Sequence, residues 1–139
     1  TRIQQMEKRM KKLETLVKNE NLEPQFYGNE NAPITIVSWG SNKGSILQAM
    51  DEFNKLEGIC PFNYLHLIWM NPFPAEAIKN KLSKDKYLLN VEVNYSGQMR
   101  DVIREKTGVE ILDNLLKYDG RPIYPEEIIN KVNEIRRTL

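Results

Sequence analysis

Strand-like and helix-like patterns of apolar positions alternate along most of the chain, beginning at residue 34. Apolar, β-branched runs predict strands at 34–39, 62–70, 87–93 and about 111–118, and three-and-four spacings predict a helix after each one. Gly58 and Gly108 mark two helix ends, and Pro125 marks the start of the last helix. This repeated strand–helix order predicts a parallel sheet with helices on both faces.

The first 33 residues have a different pattern. Residues 2–18 carry one narrow apolar stripe on a basic helix: Ile3, Met6, Met10, Leu13 and Val17. We expect this stripe to dock on neighbouring protein, although its basic residues would also suit an acidic partner or a membrane surface. A polar connection follows, in which only 25–27 resembles a short edge strand. The chain therefore divides into a linker helix with its connection, 1–33, and an α/β domain, 34–139.

Two glycine-containing turns stand where a strand pattern gives way to a helix pattern. The first is Ser38-Trp39-Gly40-Ser41-Asn42-Lys43-Gly44, and the second is Asn94-Tyr95-Ser96-Gly97-Gln98. If their strands are neighbours, both turns line one crevice at the carboxyl edge of the sheet, where open α/β sheets bind ligands. Helix amides there would suit a phosphate or carboxylate, with Lys43 adding a positive charge.

Each turn also has a purely structural interpretation. The spacing of Gly40 and Gly44 fits neither a dinucleotide fingerprint nor a P-loop, which favours a plain strand-to-helix turn. The second turn is equally compatible with recognition by Asn94, Tyr95, Ser96 and Gln98, or with a well-capped helix start in which Ser96 supplies the N-cap oxygen.

Composition excludes several classes of function. Twenty basic and nineteen acidic side chains give a net charge of +1, so no strong field attracts nucleic acid. No apolar run approaches the length of a membrane span. One cysteine allows neither an internal disulfide nor a cysteine-ligated cluster, and it favours a cytoplasmic location.

The isolated reactive residues are expected to be structural. His66 lies within an apolar strand and predicts a buried, hydrogen-bonded core histidine. We expect Cys60 to be inert, and Trp39 and Trp69 to fill the core. The sequence contains no complete catalytic set and no metal-ligand pattern.

Four segments, taken together and in this order, resemble the C-terminal domain of the α subunit of 2-oxoacid:ferredoxin oxidoreductases. They are IVSWGSNKG at 36–44, NPFP at 71–74, VEVNYSGQ at 91–98 and LKYDGRP at 116–122. The similarity extends over about 34–132, and Glu7-Lys8-Arg9 resembles the stretch that joins this domain to a preceding one. Two departures are small: Val93 stands where a polar residue is expected, and Asn42 where threonine is usual.

The resemblance implies a three-layer α/β/α fold like the C-terminal domain of transketolase. Its five-stranded sheet would be mostly parallel, with one antiparallel edge strand and the 34–39 and 87–93 strands side by side. The crevice residues would then be Gly40, Ser41, Asn42, Lys43, Gly44, Asn94, Tyr95, Ser96, Gly97 and Gln98, with the turn Asp119, Gly120 and Arg121 near the same interface.

The resemblance also implies a role in a larger enzyme. Such complexes use thiamine diphosphate, Mg²⁺ and iron–sulfur clusters to convert a 2-oxoacid and coenzyme A to an acyl-coenzyme A, reducing ferredoxin. None of these cofactors is expected to be bound by this domain, which would contact the preceding domain and the β subunit and be inactive alone. Two alternatives are a flavodoxin-like module that binds a small ligand or nucleotide, and the equivalent domain of a 2-oxoacid dehydrogenase β subunit.

Overall fold

A computed structural model describes residues 1–19, 22–82 and 85–139. The helices are α1 Arg2–Asn19, α2 Lys43–Glu57, α3 Ala75–Lys81, α4 Gln98–Thr107 and α5 Pro125–Arg136. The strands are β1 Gln25–Tyr27, β2 Ile34–Trp39, β3 Phe62–Leu67, β4 Tyr87–Glu92 and β5 Asp113–Leu116. The helix predicted after β3 was expected to end near residue 84, but residues 83 and 84 lie outside the described residues.

The five strands form one sheet in the order β1-β3-β2-β4-β5. β1 pairs antiparallel with β3, and the other three pairings are parallel. Ile34 lies opposite Phe62 on one side and Tyr87 on the other. The mostly parallel sheet, its antiparallel edge strand and the adjacency of β2 and β4 are therefore as expected.

Successive residues of the central strands face opposite layers of helix. Ile34 and Ile36 pack with α2 and α5 in one core, which includes Phe53 and Val132. Val37 packs in the other core, with α3 and α4. Because both faces are covered, all six residues of β3 are buried and its sequence is almost continuously apolar. The fold is a three-layer α/β/α sandwich.

Glycine and proline define several element ends as predicted. Gly58 and Gly108 follow α2 and α4 with φ of 82° and 77°, and each donates its amide to the helix it ends. Pro125 occupies the first turn of α5.

The strand predictions at 62–70 and 87–93 were too long. β3 ends at Leu67, and Ile68, Trp69 and Met70 are exposed because the chain leaves the sheet before the cis Asn71–Pro72 peptide. Trp69, 39% exposed, is therefore not a core filler. Val93 likewise follows the end of β4 and is exposed. Apolar character alone did not distinguish these residues from the covered part of the strand.

Among the described helices, none combines the length and apolar character that a membrane crossing requires.

Candidate docking site at the carboxyl edge of the sheet

The two glycine turns follow neighbouring strands at the centre of the sheet. Ser38 of β2 lies opposite Val91 of β4, and β3 lies on the other side of β2. The chain thus reverses its winding direction between β2 and β4, which is where open α/β sheets form their crevice. In this chain, the crevice between the ends of β2 and β4 is filled by polar side chains of the protein itself.

Glu92, the last residue of β4, is at the centre of this polar cluster. Its side chain is fully buried. Three side-chain N–H groups donate to its carboxylate: Asn90 Nδ2 at 2.6 Å, Trp39 Nε1 at 3.0 Å and Asn94 Nδ2 at 3.0 Å. Trp39 belongs to β2 and Asn94 to the second turn. One carboxylate therefore joins two strands and a turn.

The same carboxylate and Asn94 also satisfy the amides at the N-terminus of α4. Four successive amides donate to these two side chains: Gly97 (2.7 Å) and Gln98 (3.3 Å) to Asn94 Oδ1, and Met99 (2.8 Å) and Arg100 (3.3 Å) to Glu92. An anion bound at a helix N-terminus uses these groups. At α4, the anion is part of the protein itself.

The environment of Glu92 favours its ionised form. Burial by itself would raise the pKa of the carboxyl group, but the hydrogen bonds from Asn90, Met99, Trp39 and Asn94 outweigh it and hold the pKa below its usual value. The positive end of the α4 dipole acts in the same direction. Glu92 is therefore a buried carboxylate at neutral pH, stabilised by neutral N–H donors.

The N-cap prediction for Ser96 was wrong. The residue before α4 is Gly97, which has a left-handed φ of 67° and no side chain to cap with. Ser96 is exposed, and its carbonyl accepts a hydrogen bond from Arg100 Nη2 at 3.0 Å. Asn94 and Glu92 cap the helix instead. The signal for Glu92 was an acid between two valines of an apolar strand, which the sequence analysis did not single out.

The first turn is organised differently. Ser38 Oγ donates to the Val91 carbonyl at 2.6 Å, and Asn42 Nδ2 donates to Ser38 Oγ at 3.1 Å, which ties the buried base of the turn to β4. Gly40 has a φ of 70°, and a methyl group added there would meet no atom within 4 Å. Asn42, the residue before α2, makes no side-chain capping hydrogen bond to the helix.

Lys43 does not point towards the second turn. Its Nζ donates to Gln25 Oε1 at 2.9 Å and lies 5.3 Å from the centre of the Tyr27 ring. Both partners belong to β1, which is separated from β4 by β3 and β2. The positive charge that we expected in the crevice therefore lies on the other side of the first turn.

Outside the polar cluster, the carboxyl edge presents apolar and aromatic side chains to solvent. We call this surface the apolar rim; it consists of Ile68, Trp69, Met70, Val93, Tyr95 and Tyr118, all exposed. The rings of Tyr95 and Tyr118 meet edge to face, with centres 5.0 Å apart. The residues of the rim follow the carboxyl ends of β3, β4 and β5. They therefore lie at the same edge of the sheet.

The third turn lies beside the rim. Asp119, Gly120 and Arg121 are exposed, and Asp119 Oδ1 accepts a hydrogen bond from the Arg121 amide at 3.0 Å. Gly120 adopts a φ of 84°, a conformation that favours glycine. The turn is a polar border to the apolar rim.

His66 is a buried, hydrogen-bonded core histidine, as predicted, and Cys60 is also buried. His66 is buried, with Nδ1 2.6 Å from the Tyr64 hydroxyl, and burial, together with the charge of Lys43, lowers its pKa. Burial raises the pKa of the Cys60 thiol to about 11, so it is unreactive at neutral pH.

A larger cavity lies at the opposite edge of the sheet, with a volume of about 850 Å³. Its lining includes Tyr87 and Asp113, at the amino ends of β4 and β5. The Tyr87 hydroxyl donates to Asp113 Oδ2 at 2.5 Å, and Lys131 Nζ lies 2.9 Å from Asp113 Oδ1. This carboxylate is already paired, and none of the predicted site residues lines the cavity.

Metal-ligating side chains are not clustered in the described part of the chain. Across residues 1–19, 22–82 and 85–139, no three His, Cys, Asp or Glu side chains are grouped as a metal site. The single cysteine of the sequence cannot by itself ligate an iron–sulfur cluster.

Taken together, these features define a three-layer α/β domain whose carboxyl edge carries a buried polar cluster and an exposed apolar rim. The chain belongs to the family described as pyruvate:ferredoxin oxidoreductase core domain II, which matches residues 32–128.

The relatives of the chain include 2-oxoacid:ferredoxin oxidoreductase α subunits. That of Saccharolobus solfataricus is 38% identical over 124 residues, which are 88% of this chain and 19% of the relative. The chain therefore spans about a fifth of that subunit's length. This match favours the ferredoxin oxidoreductases over the 2-oxoacid dehydrogenase β subunit.

Two solved structures share the fold. The 2-oxoglutarate:ferredoxin oxidoreductase of Magnetococcus marinus, with 2-oxoglutarate, coenzyme A and succinyl-CoA bound, matches with a TM-score of 0.76 and 25% identity, over 86% of this chain and 21% of that one. The α chain of a probable 2-oxoacid ferredoxin oxidoreductase from Thermoplasma acidophilum is 38% identical, with a TM-score of 0.57, over 83% of this chain and 97% of that one.

Proposed function

We propose that this chain is the docking domain of the α subunit of a 2-oxoacid:ferredoxin oxidoreductase and has no catalytic activity alone. The observation that carries the proposal is the carboxyl edge itself. The amides at the start of α4 are satisfied by Glu92 and Asn94, while the apolar rim around them is exposed. Large apolar side chains grouped on one edge are typical of protein interfaces.

The occupant of the rim would be the remainder of the α subunit or the β subunit. In this assignment, Gly40, Ser41, Gly44, Tyr95, Ser96 and Gln98 contact protein rather than an anion, while Asn42 supports the first turn from its buried base and the Asp119–Arg121 turn borders the contact. Lys43 takes part only from the β1 side of the first turn. The 1–33 segment would connect this domain to a preceding one.

The chemistry of the assembled enzyme would reside elsewhere. Thiamine diphosphate with Mg²⁺, the iron–sulfur clusters and coenzyme A would be bound mainly by other domains and subunits, and ferredoxin would accept the electrons. The parent enzyme would act in the cytoplasm. This chain would support that reaction by holding the assembly together.

Assembly of the complete α subunit with the β subunit tests this role. Trp69→Glu and Tyr95→Glu place charges on the apolar rim, and both changes are expected to reduce complex formation on size-exclusion chromatography, because burying an unpaired charge is unfavourable. Leu56→Glu is the matched control, since Leu56 is 84% exposed and lies at the far end of α2.

Unchanged assembly of both rim variants would contradict the proposal.

A second experiment measures the activity of the chain alone with pyruvate or 2-oxoglutarate, coenzyme A, thiamine diphosphate and Mg²⁺. No decarboxylation is expected. Turnover without partner subunits would show that the chain is not merely a docking domain.

A further inference from the structure

Helix α1 carries three apolar residues, Ile3, Met6 and Met10, that nothing in the described part of the chain covers. Every side chain of α1 that the structure describes is exposed, including Ile3 (70%), Met6 (64%) and Met10 (60%). An isolated helix of 18 residues is only marginally stable in water. A helix of this kind gains stability mainly by packing its apolar face against a partner.

The spacing of the stripe follows the coiled-coil heptad. Apolar residues recur at intervals of three, four, three and four: Ile3, Met6, Met10, Leu13 and Val17. In heptad notation, Ile3, Met10 and Val17 occupy the a positions, and Met6 and Leu13 the d positions. Two of the three a positions are β-branched and one of the two d positions is leucine, and β-branched residues at a with leucine at d favour two-stranded parallel pairing. This periodicity is narrower than that of a helix packed on a sheet.

The charges beside the stripe specify a partner. Arg2 and Arg9 occupy g positions, and Glu7 and Glu14 occupy e positions. In a parallel, in-register pair of two copies, each g residue meets the e residue five positions further along the other helix. Arg2 then faces the partner's Glu7, and Arg9 faces the partner's Glu14.

The antiparallel arrangement brings like charges together. It pairs g with g and e with e, so that arginines face arginines and glutamates face glutamates. Leu16 is the one apolar residue at a g position. The charges of two identical α1 helices are therefore complementary when the helices are parallel and repulsive when they are antiparallel.

The same pattern disfavours a membrane surface as the occupant. On an interfacial helix, basic residues flank the apolar face and contact lipid headgroups. Here Glu7 and Glu14 flank the stripe on one side, while Lys8, Lys11 and Lys12 lie at the outer f, b and c positions. The lysines therefore face away from the apolar stripe.

We propose that α1 pairs with α1 of a second copy of this chain as a parallel, two-stranded coiled coil. The inference rests on α1 alone and is independent of the role of the apolar rim. It assigns the first helix as a dimerisation element, with the Arg–Glu pairs setting orientation and register.

Sedimentation equilibrium of the 139-residue chain tests the pairing. The average mass is expected to rise with concentration from 16.3 kDa towards twice that value. Arg2→Glu with Arg9→Glu makes every flanking charge acidic, and Glu7→Arg with Glu14→Arg makes every one basic. Each double variant alone is expected to dimerise roughly tenfold or more weakly, because attraction becomes repulsion.

Mixing the two double variants provides the decisive control. In the mixed pair, every g–e contact is again between opposite charges, so an equimolar mixture is expected to recover dimerisation. An unchanged unfolding temperature of the α/β body shows that each variant is folded. A concentration-independent monomer, dimers insensitive to the charge changes, or a mixture that stays monomeric would each overturn the proposal.

Disulfide trapping tests orientation separately. Ile3→Cys places a thiol at an a position near the helix start, where only parallel pairing brings the two copies together. Gln4→Cys is the matched control on the outer surface. The native Cys60 is buried and does not compete. Rapid cross-linking of Ile3→Cys over Gln4→Cys is expected, and equal rates would contradict parallel pairing.

Discussion

The two glycine turns follow neighbouring strands and look alike in sequence, but their helix starts are held in opposite ways. At the second turn, Asn94 and Glu92 accept from four successive amides, those of Gly97 and of the first three residues of α4. At the first turn, Asn42 before α2 makes no capping hydrogen bond, and Lys43 is directed to β1. The difference arises because β4 ends in an acid and β2 ends in a tryptophan that donates to it.

This comparison shows why glycine spacing alone does not define a ligand site. A glycine turn positions helix amides, but a carboxylate from the preceding strand can bind them first. At the second turn the site for an anion is filled by the protein, and only the outer side chains remain for contact with a partner.

The largest expected effect comes from removing the charge of Glu92. Glu92→Gln replaces one acceptor oxygen with a donor that faces other donors, so we expect a loss of about 2–4 kcal/mol in the free energy of unfolding. This corresponds to a lowering of the unfolding temperature by roughly 10 °C. Denaturant titration followed by tryptophan fluorescence measures it.

The matched control for Glu92→Gln is Glu105→Gln, the same change at an exposed position of α4. It is expected to alter stability by less than about 0.5 kcal/mol. Equal effects at the two positions would show that Glu92 does not hold the second turn together.

The second prediction concerns pH. Because the pKa of Glu92 is lowered on folding from its ordinary 4.5, its stabilising contribution is complete above that pH and is lost as the pH falls through the folded value. The stability difference between the native chain and Glu92→Gln is therefore expected to be constant near neutral pH and to shrink below about pH 4.5. A difference that grows on acidification would contradict this assignment.

Glycine substitutions give smaller effects that separate the two turns. Gly97→Ala forces alanine into a φ of 67° and brings its methyl group 3.2 Å from Arg100 Cζ, while Gly40→Ala at 70° meets no atom within 4 Å. We expect about 1 kcal/mol of destabilisation at Gly40 and more at Gly97. Gly44 lies in α2 without a positive φ, so Gly44→Ala is expected to stabilise by about 0.5 kcal/mol. Thermal unfolding of the three variants measures the order.

The smallest expected effect is in ligand titration. Calorimetry with coenzyme A, thiamine diphosphate or nucleotides is expected to give no saturable heat from this chain, since the α4 amides already have acceptors. Micromolar binding that is lost on Gly97→Phe would instead support the small-ligand module.

The sequence predicted those parts of the molecule that depend on local patterning. The order of strands and helices follows from apolar periodicity, and the ends at Gly58 and Gly108 follow from the left-handed conformation that glycine adopts readily. The antiparallel edge strand at 25–27 was expected from the run Gln25-Phe26-Tyr27 and from the family resemblance.

The polar cluster could not be predicted in the same way. Glu92 accepts a hydrogen bond from the amide of Met99, seven residues later, and from the indole of Trp39, 53 residues earlier. Local capping rules do not apply over these separations. The direction of Lys43 likewise depends on Gln25, which reaches it only through the pairing of β1 with β3. Both contacts arise from the tertiary arrangement of the strands.

The central claim, that the apolar rim is a docking surface, is tested most directly by hydroxyl-radical footprinting. The chain alone is compared with the complete α subunit assembled with its β subunit. We expect labelling of Trp69, Tyr95 and Tyr118 to fall strongly on assembly, while the exposed control Leu56 stays unchanged. Equal labelling of the three rim residues in both states would contradict the account.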